Sequence, residues 1–221
     1  MLLYWLLILI IPIAASANVK MTYSKYEKIS NRRGYTADEV ARKILDSNGL
    51  YSIRIEHIKG NLTDHFDPQA GVIRLSDSVY GKTSVAAIGV AAHECGHAVQ
   101  HAESYGPIVL RNKLVPITNF CSSASYILIL VGILLSFNEL LINIGIILFL
   151  AVVAFQLVTL PVEFNASSRA LQTLEGDAIL DEDEVGKSKK VLRAAALTYV
   201  ASLLTTIIQL LRLIAMSRRR S

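Results

Sequence analysis

Hydrophobic residues in this chain are concentrated in four long runs, at positions 2–17, 119–137, 140–160 and 194–216. Each run is close to the roughly 20 residues that an α-helix needs to cross a bilayer. The region between the first two runs is polar and follows shorter periods, which are typical of a small water-facing domain. The pattern predicts a mainly α membrane protein with about four hydrophobic helices and a small α+β domain.

The runs divide the chain into five predicted parts. These are an N-terminal membrane anchor at 1–18, a polar domain at 19–116, a transmembrane hairpin at 117–160, a further helix and linker at 161–193, and a C-terminal hydrophobic helix with a basic tail at 194–221. Pro161 follows the third run directly, and proline is favoured in the first turn of a helix. We therefore expect a new helix to begin there.

Within the polar domain, local signals predict two helices and a small sheet. Thr36 and Glu39 form a capping box before a helix that ends at Gly49. A second, largely buried helix is predicted at 84–101. Extended segments are predicted at 52–58, 61–66 and 72–76, with turn residues at 67–71.

The lysines and arginines at 20–33, 111–113 and 187–193 lie on one side of the predicted spans if all four runs cross the membrane. They flank the polar domain and the last run, whereas the short 138–139 connection carries no positive charge. By the positive-inside rule, this pattern predicts a multi-pass protein of the cell membrane with a cytoplasmic polar domain. Arg218–Arg220 would then lie outside, so a re-entrant or interfacial last run is the alternative.

The first run ends in Ala15-Ser16-Ala17, which resembles a signal-peptidase site. No lysine or arginine precedes the run, so the positive segment of a secretory signal is missing and we expect an uncleaved anchor.

The overall composition and the net charge indicate which kinds of partner the chain binds. Hydrophobic residues make up 52% of the chain, which is high for a soluble protein. The net charge of +4 comes from the helix flanks, and no basic patch with interleaved aromatic residues suggests nucleic-acid binding. The expected partner of these flanks is the anionic surface of a lipid bilayer.

Cys95 and Cys121 are expected to be packing residues rather than a disulfide.

The stretch AAHECGHAVQ, at 91–100, places two histidines four residues apart. On a helix, this spacing puts His93 and His97 on one face, where their imidazoles converge on a zinc site. Glu94 follows the first histidine and is suited to act as the general base of a catalytic zinc site. The alternative is a buried helix whose histidines only form hydrogen bonds, because this short pattern also occurs by chance.

A third ligand for the single expected zinc ion has to come from elsewhere, because His101 is about 12 Å from His93 along a helix axis. Glu163 lies just past the third run, where an acidic group is costly unless a cation holds it. We predict that it is the third ligand; a first-turn glutamate stabilised by the helix dipole is the alternative. Other acidic residues lie in solvated or remote segments and fit less well, namely Glu139, Glu175, Asp177 and Asp181–Glu184.

Five stretches of the chain resemble the YugP-type family of neutral zinc metallopeptidases of bacterial membranes. They are LTDHFDP, VIRLSDSVY, SVAAIGVAAHECGHAVQH, LPVEFNAS and VLRAAALTYVA, and the resemblance covers almost the whole length. The chain is more distantly similar to the HtpX and CAAX prenyl protease group, in which a glutamate in an E-Y/F-x-A-D context joins the H-E-x-x-H helix. Here Ser167 replaces that aspartate. The resemblance implies a zincin-like catalytic domain with protease activity.

His65 and Arg74 are predicted contacts to the substrate or the transition state. His65 is suited to stabilise an oxyanion, and a hairpin histidine that only hydrogen-bonds locally is the alternative. Arg74 lies in the predicted strand 72–76. In zinc proteases that resemble this chain, an edge strand before the active helix pairs with the substrate backbone; an ordinary covered strand is the alternative.

Together, these features predict a membrane-anchored zinc metalloendopeptidase that hydrolyses peptide bonds in membrane or membrane-near proteins. The expected partners are a polypeptide substrate and the bilayer. The alternative is a membrane scaffold or adaptor with a structural zinc site, which is usually closed by a fourth protein ligand. A transporter is disfavoured because the runs contain few ionisable groups that would face one another.

Overall fold

The computed structural model describes residues 2–218 and is mostly helical, with one small sheet. Its elements in chain order are α1 (Leu2–Tyr26), α2 (Ala37–Ser47), β1 (Arg54–Ile58), β2 (His65–Asp67), β3 (Val72–Ser76), α3 (Val85–Ala102), α4 (Gly106–Leu134), α5 (Glu139–Gly176) and α6 (Glu182–Arg218).

Within residues 2–218, four helices are long and apolar enough to cross a membrane, namely α1, α4, α5 and α6. Each is longer than the hydrophobic run that predicted it, because the helix continues into neighbouring polar sequence. The predicted helix start at Pro161 is wrong, since this proline lies inside the continuous helix α5. An internal proline loses one backbone hydrogen bond. Two helix ends beside an apolar segment would leave several backbone groups unpaired, which costs more.

The described residues form two compact units. The helical unit comprises 2–16, 109–161 and 197–218, and the mixed unit comprises 17–108 and 162–196. The helical unit has an apolar core that includes Ile129, Ile142 and Phe149. Close packing of α4 on α5 requires a small residue at Gly145, where an added Cβ would lie 2.6 Å from the Ile129 side chain. Many large apolar side chains remain exposed on α4 and α5, as expected for helices that face lipid.

Helices α2 and α3 of the mixed unit both begin with a side-chain cap. The Thr36 side chain accepts a hydrogen bond from the Glu39 backbone, and the Glu39 carboxylate accepts one from the Thr36 N–H, which confirms the capping box. Ser84 caps α3 through a hydrogen bond from the Ala87 N–H. Both helices bury apolar side chains in one core with β3.

The sheet has the order β1-β3-β2, with β1 parallel and β2 antiparallel to β3. Strand β3 is central in the sheet, so the prediction of an edge strand at 72–76 is wrong. The alternative, a covered strand, is found. The reason is that Val72, Ile73 and Leu75 are all fully buried, so both faces of β3 need cover. The predicted strand at 61–66 is shortened to β2, because Gly60 and Leu62 adopt positive φ and form a turn.

Candidate metal centre

Helix α3 carries the two histidines of the HECGH sequence on one face within a mostly buried environment. The His93 and His97 rings lie edge to face with centroids 4.7 Å apart. Their side chains are 15% and 12% exposed, respectively. The neighbouring Ala91, Ala92 and Ala98 are fully buried. Helical spacing therefore brings both imidazoles to one place, where they are largely shielded from solvent.

Helix α5 approaches α3 closely because Gly96 has no side chain. A Cβ at this position would lie 2.6 Å from the Ala166 carbonyl oxygen and 3.1 Å from the Ala166 Cα. Contacts of that length with backbone atoms require a shift of one helix. Gly96 thus permits the helix that carries Glu163, three residues before Ala166, to reach the two histidines.

Glu163 lies against both imidazoles and its side chain is only 3% exposed. Its Oε2 atom is 3.4 Å from His93 Nε2 and 3.5 Å from His97 Nε2. Within residues 2–218, His93, His97 and Glu163 form the group of side chains that could hold a metal ion. Their ligand atoms all lie within 4.8 Å of one another. The structure thus brings together the three residues that were predicted from the sequence to be zinc ligands.

The two distances from Glu163 and the donor types of all three residues fit zinc. Bonds of about 2.0–2.1 Å at tetrahedral angles place adjacent ligand atoms about 3.4 Å apart, close to the two distances from Glu163. Two imidazoles and one carboxylate also form a common ligand set of catalytic zinc sites. By contrast, 3.4–3.5 Å is longer than a good charge-assisted hydrogen bond.

The second nitrogen of each imidazole also has a partner. Ser167 Oγ lies 3.1 Å from His93 Nδ1, and Gln100 Oε1 lies 3.0 Å from His97 Nδ1. In metal sites, such contacts hold the ring and direct the other nitrogen to the metal. Ser167, the residue that departs from the E-Y/F-x-A-D pattern, thus places a hydroxyl against His93.

Glu94 is buried next to the cluster, with 8% of its surface exposed. Its Oε2 atom accepts a hydrogen bond of 3.0 Å from the Phe66 N–H on β2. This contact orients the carboxylate and connects α3 to an edge strand of the sheet. The Phe66 partner could not be predicted from sequence patterns, because the two residues belong to different elements.

His65 and Arg74 form a cross-strand pair with local partners. His65 Nδ1 lies 2.9 Å from the Thr63 carbonyl oxygen, and its Nε2 lies 3.2 Å from Arg74 Nη1. The same arginine nitrogen donates to Asp67 at 2.8 Å. The backbone N–H of Ala70 and the Arg74 guanidinium lower the pKa of Asp67. These contacts match the local hydrogen-bonding alternative for His65, and neither residue belongs to the cluster of ligand atoms.

Asp64, which was not predicted to be a site residue, is a half-buried acidic residue beside this hairpin. Its carboxylate accepts hydrogen bonds from the Ser76 N–H at 2.6 Å and the Ser76 hydroxyl at 3.0 Å. Burial nevertheless raises the pKa of Asp64. The residue holds the segment before β2 against the end of β3. Its sequence signal was an acidic side chain inside the extended segment predicted at 61–66.

The acidic residues at the start of α6 have a structural role. Asp181 and Asp183 each form an ion pair of 2.8 Å with Arg32. Glu184 is buried and accepts hydrogen bonds from the backbone N–H groups of Arg32 and Asp181. These contacts cap α6 and attach it to the segment before α2.

Both cysteines are free and buried. Cys95 donates a weak hydrogen bond to the Ala41 carbonyl at 3.5 Å, and burial raises the pKa of its thiol. These features agree with the expected packing role of Cys95.

Comparison with known proteins identifies relatives over nearly the full length. The family described as "Putative neutral zinc metallopeptidase" matches residues 1–218. The chain is 52% identical over 201 residues to "Putative membrane protease YugP" of Bacillus subtilis (strain 168), which covers 90% of this chain and 88% of that protein. No solved structure matches the chain. The resemblance predicted from the five sequence stretches is confirmed, and this chain belongs to the "putative neutral zinc metallopeptidase" family.

Proposed function

We propose that this protein is a membrane-anchored zinc metalloendopeptidase that cleaves peptide bonds in membrane or membrane-near proteins. The observation that carries the proposal is the spacing of the three ligand atoms, with Glu163 Oε2 at 3.4 and 3.5 Å from the two imidazole nitrogens. A buried carboxylate, Glu94, follows the first histidine directly.

In this proposal, His93 Nε2, His97 Nε2 and Glu163 Oε2 hold one zinc ion per chain. Bound zinc supplies Lewis-acid chemistry, which lowers the barrier to attack of water on an amide carbonyl. Among residues 2–218, the group comprises three side chains, as in catalytic zinc sites, whereas structural sites are usually closed by four. This count favours the enzyme over a membrane scaffold with a structural zinc site.

Glu94 is the proposed general base and general acid. The Phe66 N–H engages Oε2, so we assign Oε1 as the atom that takes a proton from the attacking water. The same oxygen then delivers the proton to the amine that leaves when the C–N bond breaks. The hydrogen bond from Phe66 keeps the carboxylate in one orientation during both transfers.

The zincin-like character of the mixed unit is part of the proposal. An active helix with two histidines lies beside a small sheet, and β2 forms the edge nearest to Glu94 through the Phe66 contact. Because β2 contains three residues and its Phe66 N–H is already engaged, main-chain pairing with a substrate would be short. We therefore expect substrate affinity to depend on side-chain and membrane contacts as well.

The function is tested with purified full-length protein, by comparing wild type with Glu94→Gln. We expect both proteins to hold one zinc ion per chain, because Glu94 is not a ligand in the proposed site. Cleavage of an unfolded, fluorescently labelled protein should fall by about 100-fold or more in Glu94→Gln. Glu175→Gln is the matched control and should retain activity. Equal cleavage by wild type and Glu94→Gln would refute the mechanism.

We also propose that the mixed unit is cytoplasmic and that the protein lies in the cell membrane. The support is the distribution of lysine and arginine in the sequence. A single cysteine introduced at Asn138, in a chain whose two native cysteines are replaced, should react with an impermeant thiol reagent on intact cells. A cysteine at Lys28 should react only after the cells are opened. The reverse pattern would place the mixed unit outside.

A further inference from the structure

Gln100 is a fully buried amide on α3, one helical turn after His97. A buried amide is costly unless its donor and acceptor groups are paired. Gln100 Oε1 lies 3.0 Å from His97 Nδ1, while Nε2 lies 2.8 Å from the Val162 carbonyl oxygen and 2.9 Å from Asn165 Oδ1. One side chain therefore connects an imidazole of the proposed metal site to the helix that carries Glu163.

The chemistry of these partners fixes the direction of each hydrogen bond. The Val162 carbonyl can only accept, so the Gln100 group beside it must be the NH2 group. The Gln100 oxygen then faces His97, and it can only accept. His97 Nδ1 must therefore carry the proton, which leaves the lone pair of the neutral ring on Nε2. That nitrogen is the one 3.5 Å from Glu163 Oε2.

The same amide also holds α5 beside Glu163. Val162 precedes Glu163 directly, and Asn165 follows it by two positions. The Asn165 oxygen accepts a second hydrogen bond, of 2.8 Å, from Arg169 Nε. Arg169 in turn forms an ion pair of 2.7 Å with Glu103, at the end of α3. Gln100 thus contacts α5 on both sides of Glu163, and the ion pair of Arg169 with Glu103 joins the same two helices.

We propose that Gln100 is a positioning residue of the metal centre, with two linked effects. It selects the His97 tautomer that presents Nε2 to a metal, and it sets the position of the Glu163 backbone relative to α3. The proposal rests on the zinc site proposed above. An apolar side chain of similar length would fill the same space without any need for partners, so the test separates hydrogen bonding from packing.

The first experiment measures zinc affinity of the full-length protein by competition with a chromophoric chelator. Gln100→Met keeps the length of the side chain but removes both sets of hydrogen bonds. We expect its zinc affinity to fall by about 10- to 100-fold, while the helical content of the metal-free protein is unchanged. Gln172→Met, at an exposed position of α5, is the matched control and should bind zinc as wild type does. Equal affinity in Gln100→Met and wild type would overturn the proposal.

The second experiment needs no metal and no activity. The chain has five histidines, so 15N NMR of histidine-labelled, metal-free protein can resolve the tautomer of each ring. At a pH where the rings are neutral, we expect the His97 proton on Nδ1 in wild type and a mixture of tautomers in Gln100→Met. A His97 ring with its proton on Nε2 in wild type would overturn the proposal. If wild type binds no zinc, the proposed function fails, and this measurement still decides the role of Gln100.

A third variant covers the case in which Gln100→Met does not fold. In Gln100→Glu, an ionised carboxylate still accepts from His97 Nδ1 but cannot donate to Val162 or Asn165. We expect this variant to keep the Nδ1 tautomer and to lose zinc affinity, because its second carboxylate oxygen is repelled by the Val162 and Asn165 oxygens of α5. Wild-type zinc affinity in Gln100→Glu would show that the α5 contact does not position Glu163, and would overturn that half of the proposal.

Discussion

The helical unit and the mixed unit differ in the polar groups that they bury. In the described part of the helical unit, the buried polar side chains are hydroxyls, and Ser125 and Thr159 donate to backbone carbonyls of α5. The mixed unit buries carboxylates and amides, among them Glu94, Gln100 and Glu163. A buried hydroxyl needs a single nearby carbonyl, whereas a carboxylate or an amide needs several partners from other elements.

This difference predicts which of the two units is more sensitive to substitution. The helical unit needs apolar surface and a few small residues, so many substitutions of similar volume should be tolerated. The mixed unit depends on polar contacts between α3, α5 and the sheet, so the loss of one partner leaves another group buried and unpaired. The following three changes test this contrast.

The largest effect is expected for Glu163→Ala compared with Thr159→Val, one turn earlier on α5. Glu163→Ala removes one of three proposed ligands and should lose both proteolysis and most of the zinc. Thr159→Val removes a hydroxyl that donates to the Phe155 carbonyl of its own helix and should keep both. Zinc content is measured by atomic absorption after extensive dialysis.

Two further controls are Glu175→Ala and Asp177→Ala, which should bind zinc as wild type does. Stoichiometric zinc in Glu163→Ala would show that the third ligand is misassigned. His65 would then be the next residue to test.

A smaller effect is expected for alanine at three glycines. Gly96→Ala places a methyl group 2.6 Å from a backbone oxygen of α5, so α5 must move and zinc affinity should fall by about 10-fold or more. Gly145→Ala meets the Ile129 side chain at the same distance; it should lower the melting temperature but leave zinc affinity unchanged. Gly186→Ala, inside α6, meets nothing within 4 Å and should stabilise the protein by up to about 1 kcal/mol.

Chelator competition and thermal unfolding of the same three samples separate these effects. The contrast between the units would be wrong if Gly145→Ala lost zinc as readily as Gly96→Ala.

The smallest effect is a pH dependence from Asp64. Burial raises its pKa in the folded protein above the ordinary value of 3.8, so the folded state binds this proton more tightly than the unfolded state. The resulting contribution to stability is present below 3.8 and is lost as the pH rises through the folded-state pKa. Asp64→Asn lacks this titration. The free energy of unfolding of wild type relative to Asp64→Asn should therefore be larger at pH 3.5 than at pH 7, as measured by urea unfolding. A larger difference at pH 7 would contradict the assignment.

Features that depend on neighbouring residues could be predicted from the sequence. The capping box of Thr36 and Glu39 and the common face of His93 and His97 each involve residues within one helical turn. The four apolar helices follow from composition over about 20 residues. For Glu163 the sequence signal was weaker, namely the energetic cost of an isolated charge near an apolar run.

Other features were decided only by the tertiary structure. The central position of β3, the passage of α5 through Pro161 and the contact of Gly96 with Ala166 depend on which elements pack together. The partners of Glu94 and Gln100 also come from distant parts of the chain. Spacing along one helix determined that two imidazoles would meet. Packing between two helices determined that a carboxylate would lie 3.4 Å from one of them, because side-chain periodicity carries no information about the distance between separate elements.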